Sequence, residues 1–147
     1  MILREEFGPL IAHAGRMCLI DRVRTWDAEH IIAEADSHRD PQHPLLRGGH
    51  LAALHLCEYG AQAMAVHGAL SARARGAHAQ AGFVVSLREI ELSIATLESL
   101  RGELVIEARR LAADRASWQY AFSVHHGGAR LARGRAAILA AERDRGT

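Results

Sequence analysis

No lysine occurs in the chain, and all 18 basic residues are arginine. That absence excludes a lysine Schiff base and any phosphate-binding loop that needs a lysine. Cysteine is scarce as well. Cys18 and Cys57 lie far apart with no paired spacing, so neither a zinc site nor a disulfide framework is indicated, and both read as small buried hydrophobes. With 3 prolines and 5% aromatic residues, the composition fits no collagen-like or proline-rich disordered class. An excess of one charge is missing too: a formal net charge of +1 leaves no broad basic footprint for nucleic acid. No apolar run reaches the roughly 18 residues of a membrane span. Arg4, Glu5 and Glu6 precede any apolar run, which does not fit a signal peptide, so a cytoplasmic location is expected. The patterns H-E-x-x-H, C-x-x-C, G-x-S-x-G and G-x-G-x-x-G are all absent, which argues against a zincin, a thiol redox site, an α/β-hydrolase and a dinucleotide fold. No metal and no cofactor is expected.

What is present is a 147-residue chain, 49% hydrophobic and 24% charged. It reads as a single domain over 1–147, large enough to bury about 68–70% of its unfolded surface. Two early strands are expected, Met17–Trp26 and His30–Ala35, separated by the turn-like Asp27-Ala28-Glu29. Residues 38–50, HRDPQHPLLRGGH, carry two prolines, two adjacent glycines and three histidines, and read as a loop with functional potential. Leu51–Leu70 follows, rich in Ala, Leu and Met and free of proline, and reads as a helix. Its apolar residues run around nearly the whole circumference, the pattern of a helix buried on most sides. Residues 71–80 either extend that helix or connect it onward.

Four further strands are expected at Gly82–Leu92, Glu103–Leu111, Ser117–Val124 and Arg130–Leu139. Trp118, Tyr120, Phe122 and Val124 alternate with smaller or polar residues at a strand's period of two. Turns are expected at Ala113–Ala116 and His125–Gly128. One long helix after two strands, then a meander of four, gives an α+β fold with a central helix wrapped by an antiparallel sheet of about five to six strands.

Glu58 stands in this apolar helix, where a desolvated carboxylate costs several kcal/mol unless it is paired, hydrogen-bonded or protonated. Helical spacing stacks Leu54, Glu58 and Gln62 on one face, so Gln62 is placed to orient the carboxylate. The alternative is that both side chains face solvent or bond backbone at a dimer contact. His43 and His50 flank the approach to the helix, and either could move a proton near neutral pH or simply lie exposed. Gly48 and Gly49 either cap the helix or let backbone N–H groups reach a substrate carbonyl. His13, before Ala14-Gly15-Arg16, reads as a packing, turn or substrate-contacting residue.

These residues resemble the β-hydroxyacyl-acyl carrier protein dehydratases over most of the chain. Leu10–Val23, LIAHAGRMCLIDRV, is similar to that family's leucine-proline-histidine opening and the following strand that ends in Asp-Arg-Val. Glu58-Tyr59-Gly60-Ala61-Gln62 matches its E-A-x-A-Q helix motif, and His43-Pro44 is the nearest match to its loop histidine motif. The loop and the helix look closer still to the dehydratase-like branch of aryl polyene and xanthomonadin-type pigment clusters. The resemblance implies a hotdog fold that works as a homodimer or a heterodimer with a paralogue. It implies an active site at the subunit interface, with the histidine from one protomer and the helix carboxylate from the other. It implies dehydration of a 3-hydroxyacyl thioester on an acyl carrier protein to the trans-2-enoyl form, in fatty acid or pigment biosynthesis. His43 and Glu58 would be catalytic, with Gly48, Gly49, His50, Gln62 and His13 around the substrate. Arg39, Arg47, Arg73 and Arg75 are placed to meet the acidic carrier. Two rivals are a hotdog thioesterase and a non-catalytic partner subunit.

Overall fold

In a computed structural model, residues 1–11, 15–78 and 81–141 are described. The chain runs β1 (Ile2–Leu3), α1 (Arg4–Phe7), β2 (Arg22–Trp26), β3 (His30–Ala35), α2 (Leu56–Ala74), β4 (Gly82–Leu92), β5 (Leu104–Ala113), β6 (Ser117–His126) and β7 (Ala129–Ala140). The strands form one antiparallel sheet in the order β1-β2-β3-β5-β6-β7-β4. Its 7 strands exceed the expected five to six because Ile2–Leu3 adds a two-residue edge too short to announce itself as a strand. The sheet wraps α2, which is the hotdog arrangement.

The β5–β6–β7 meander follows directly from its sequence. Tyr120, Phe122 and Val124 point inward and are buried, while Gln119 is exposed. Gly127 and Gly128, both at positive φ, form the two-residue turn between β6 and β7, where the twist of a tight hairpin requires that conformation.

Two expected boundaries are corrected. β2 begins at Arg22, because the segment before it plugs the core instead of pairing: Leu19 and Ile20 are 0% exposed. There Gln62 of α2 replaces a neighbouring strand, accepting from the Leu19 N–H at 2.7 Å and donating to the Met17 carbonyl at 2.6 Å. α2 begins at Leu56, five residues later than the composition indicates. Leu51 and Ala53 are drawn away from the helix into backbone bonds with Leu97 and Ala95, at 2.9 Å each, before a 3-10 turn at Ala53–His55 leads into it. At the other end the helix continues through Ala74 and closes with Ala77 N–H on the Ala72 carbonyl and Gly76 N–H on the Arg73 carbonyl, the paired bonds of a Schellman motif.

α2 is as buried as its composition implies, apart from its exposed end and a single stripe. Glu58, Ala61, Ala65 and Gly68 are the half-buried positions, at spacings of three and four. On the opposite side Gly60 lets the sheet approach, since a Cβ there would lie 2.6 Å from the Phe122 ring. No described helix is long and apolar enough to cross a membrane.

Candidate active site

The half-buried stripe of α2 floors a cavity of about 950 Å³. Its walls combine apolar groups, Leu10 and Ile11 before β2, Phe83 and Val84 on β4, Trp118 on β6 and Ile138 on β7, with the charged Arg110 of β5 and Asp114 and Arg115 just after it. Glu58 and Arg75 both line it, and the 17 residue steps from one to the other at about 1.5 Å each make the floor about 25 Å long. That is ample for an extended acyl chain. The carboxylate stands in the first turn of α2 and accepts a hydrogen bond from Gln62 Nε2 at 3.2 Å. Gln62 is itself 0% exposed and fixed by the Met17 and Leu19 backbone, so the amide that orients Glu58 cannot swing. The expected stacking of Glu58 and Gln62 is therefore present, in a half-buried rather than a fully desolvated setting, while Leu54 falls in the exposed 3-10 turn ahead of the helix.

His43 occupies different surroundings. It is 4% exposed and is not among the residues lining the cavity. Its Nδ1 accepts the Leu45 N–H at 3.1 Å, which leaves the proton on Nε2. Nε2 then donates to Tyr59 Oη at 3.2 Å; Tyr59 donates to Ser37 Oγ at 2.7 Å; and Ser37 donates to the Leu19 carbonyl at 2.8 Å. Both ring nitrogens are thus engaged. Burial, with neighbouring His55 second, lowers the pKa of His43, and burial pushes the Tyr59 hydroxyl up to about 12. The imidazole is neutral, and as held it offers no free lone pair.

His50 is the opposite case. Its side chain is 71% exposed, and its Nδ1 meets Glu98 Oε1 at 2.6 Å. Arg47 and His50 exchange two backbone bonds of 2.9 Å around Gly48 and Gly49, at φ 57° and 79°. The two glycines therefore make a tight hairpin turn before the helix. The helix N-terminus does not stand directly behind them, because Leu51–His55 intervenes. Of the four arginines placed at the mouth by sequence, all are exposed, and Arg75 alone lines the cavity. His13 lies outside the described residues.

Sequence reasoning missed several polar groups. Tyr59 closes the hydrogen-bonded chain behind His43. His67, 0% exposed on α2, donates from Nε2 to the Asp27 carbonyl at 2.8 Å and accepts from Tyr120 Oη at 2.7 Å. The available signal was a tyrosine hydroxyl or an imidazole inside an apolar helix, each of which needs a partner when buried. Ser71 Oγ is buried beside the cavity with no hydrogen-bond partner.

The open edge of the sheet also belongs to this description. β4 pairs only with β7, and Phe83, Val85 and Leu87 on it are 65%, 59% and 46% exposed. A long edge strand carrying exposed apolar side chains is a template for another chain.

Residues 5–145 match the ApeP-like family, described as ApeP dehydratase. Among solved structures, the dehydratase heterocomplex ApeI:P from Xenorhabdus doucetiae superposes with a TM-score of 0.84 at 20% identity, covering 93% of this chain and 91% of that one. A hypothetical thioesterase protein with coenzyme A from Streptococcus pneumoniae TIGR4 gives 0.59 at 11% identity, covering 82% of this chain and 84% of that one. The PaaI protein of the E. coli phenylacetic acid degradation operon gives 0.59 at 10% identity, covering 82% and 78%. At these identities the likenesses show the shared fold. No curated protein matches the sequence.

Proposed function

Since the chain belongs to the ApeP-like dehydratase family, we propose that it is a subunit of a dimeric dehydratase that converts a 3-hydroxyacyl thioester on an acyl carrier protein to the trans-2-enoyl form. The observation that carries this reading is the Glu58 carboxylate, oriented by an immobile Gln62 at a cavity long enough for an acyl chain. In its acid form Glu58 protonates the departing C3 hydroxyl, which leaves as water. An imidazole takes the C2 proton, and that C–H electron pair becomes the new double bond. The exposed apolar edge of β4 supplies a surface for the second subunit, either a copy or a paralogue.

Glu58→Gln keeps the bond to Gln62 but removes the acid, so enoyl formation should fall by about 10²–10⁴. An unchanged rate in a folded variant would overturn the assignment. Scoring enoyl product against free carrier thiol separates dehydration from thioester hydrolysis.

A second reading is that the chain supports an active paralogue without performing chemistry itself. The occupied ring nitrogens of His43 favour it, because His43 must surrender the bond to Leu45 or to Tyr59 before it can accept a proton. Full turnover by the purified chain alone would exclude that reading, and turnover only on adding the paralogue would support it.

A further inference from the structure

The cavity along α2 changes character along its length. Around Glu58 it is lined by Leu10, Ile11, Ala61 and Ala65, which suit a hydrocarbon chain. Toward the C-terminal end of the helix the lining turns polar, with Ser71 on α2, Arg110 on β5 and Tyr120 on β6. The turn between β5 and β6 is held at this end, since Ala140 N–H donates to the Ala116 carbonyl at 2.7 Å and Ala141 N–H to the Ala81 carbonyl at 2.9 Å. A slot built only for a hydrocarbon tail gains nothing from polar groups here, because burying them is unfavourable unless they are bonded.

Two of these groups are bonded within the protomer. His67 Nε2 donates to the Asp27 carbonyl, so its Nδ1 accepts, and the Tyr120 hydroxyl gives its proton there. Arg110 donates to the Ala28 carbonyl at 2.6 Å. Ser71 is different. It is 7% exposed, and its Oγ has no hydrogen-bond partner, not even the carbonyl four residues back that a helical serine commonly uses. The other buried side-chain atom without a partner among the described residues, His38 Nδ1, lies away from the cavity. Ser71 Oγ is thus an unsatisfied buried hydroxyl on the wall of the space a substrate would fill. The charge around it is suited to oxygen: Arg75, Arg110 and Arg115 line this half against Asp114.

We infer that this half of the cavity is a subsite that reads the far end of the acyl chain, and that it takes chains whose terminus bears an oxygen able to accept a hydrogen bond from Ser71 Oγ. Ser71 lies 13 residue steps beyond Glu58, about 20 Å along the helix at about 1.5 Å per step, so only a long chain reaches it. A terminal hydroxyl or a terminal carboxylate supplies that oxygen, and a terminal methyl does not. Ser71 is a specificity residue and takes no part in the chemistry at Glu58. The inference rests on the dehydratase reading for the acyl thioester as ligand.

The test measures binding apart from turnover. Saturated pantetheine thioesters of increasing length, each ending in a methyl, a hydroxyl or a carboxylate, are titrated into the full chain by calorimetry. In short chains the polar end lies among Leu10, Ile11 and Ala65, and the methyl-ended ligand should bind best. Once the chain spans about 20 Å the order should reverse, with oxygen-ended ligands bound about 2–10-fold more tightly than the methyl-ended one. Ser71→Ala should abolish the reversal, leave methyl-ended affinity in place and keep the melting temperature, because alanine suits a helix and no bonded partner is orphaned. A carboxylate preference that fades with salt brings the arginines into the same subsite; a hydroxyl preference indifferent to salt assigns the reading to Ser71 alone. Methyl-ended ligands binding at least as tightly at every length, or a reversal that survives in Ser71→Ala, overturns the inference. Enoyl formation from the matching 3-hydroxyacyl thioesters without any reversal overturns the subsite and leaves the dehydratase reading standing. A reversal without enoyl formation does the opposite, and failure of every thioester to bind overturns both.

Discussion

Helix α2 contains two glycines eight residues apart for which the same substitution should have opposite effects. Exchanging Gly for Ala in a helix interior is worth about 0.8–1.0 kcal/mol from backbone propensity alone, and that gain is common to Gly60→Ala and Gly68→Ala. At Gly68 the added methyl meets nothing within 4 Å, because the position opens into the cavity. At Gly60 it would lie 2.6 and 2.8 Å from Cδ2 and Cγ of Phe122. That ring is 3% exposed and also lies against Gly134, where a Cβ would meet it at 2.8 Å, so it has no free direction in which to retreat. Overpacking of this kind costs about 1–3 kcal/mol. The propensity gain cancels between the two variants, leaving the clash as their difference. At roughly 2–4 °C per kcal/mol for a chain of this size, the melting temperatures should separate by about 2–12 °C, with Gly68→Ala above the parent protein. Thermal unfolding by circular dichroism at one fixed protein concentration measures it, since the midpoint of any self-associating chain depends on concentration. Equal midpoints for Gly60→Ala and Gly68→Ala would refute the reasoning, because the sheet would then not need a glycine to close on the helix.

Gly68→Leu should fold like Gly68→Ala but place a side chain across the cavity floor, lowering turnover of long acyl substrates while sparing short ones; a chain-length series of carrier thioesters checks it. Gln62→Leu orphans the Leu19 N–H and the Met17 carbonyl together, at about 1–3 kcal/mol for each group left unpaired, and frees the Glu58 carboxylate to rotate; urea unfolding and the enoyl assay read the two effects separately. Burial lowers the pKa of His38, His43 and His67, so at mildly acidic pH the unfolded chain binds protons that the folded chain refuses. Their contribution is complete above about pH 6.5. It is lost as the pH falls from there toward the depressed folded values, at up to about 1.4 kcal/mol per pH unit for each imidazole. A stability profile flat from neutral pH down to pH 5 would contradict this. Val85→Asp puts a charge on the unpaired face of β4 and should shift the assembly toward monomer, as read by native mass.

Much of the fold was legible because local and tertiary preferences agree. The meander from β5 to β7 alternates in sequence and in burial, and its turn residues are glycines where positive φ is required. The misread boundaries are places where tertiary bonding overrides local preference. Leu51–Ala53 is good helix sequence, yet it bridges to Ala95–Leu97. Met17–Asp21 has strand-like composition, yet its Leu19 N–H and Met17 carbonyl are taken by a glutamine side chain from α2. The Glu58–Gln62 pair could be read from spacing alone, because both residues lie on one helix and i,i+4 geometry is local. His43 and its partners could not, because Ser37, His43 and Tyr59 meet only once the loop folds back on the helix.

The histidines make the same point in chemical terms. All 10 have one side chain and one intrinsic basicity in the sequence, and their proximity to the helix favours His43 and His50 alike. What separates these two is the atom that meets the second ring nitrogen. A backbone N–H on Nδ1, as at His43, fixes the tautomer with the proton on Nε2 and turns the ring into a donor that braces Tyr59. A carboxylate on Nδ1, as at His50, selects a proton on that nitrogen and leaves Nε2 without a bond to any described residue. A buried imidazole of the first kind contributes to the core and is silenced as a base by the same bonds that stabilise it. An exposed imidazole of the second kind contributes little packing, and His50 is not among the residues that line the cavity on α2. Spacing along the chain carries neither difference, because each depends on a partner atom that only the folded chain supplies.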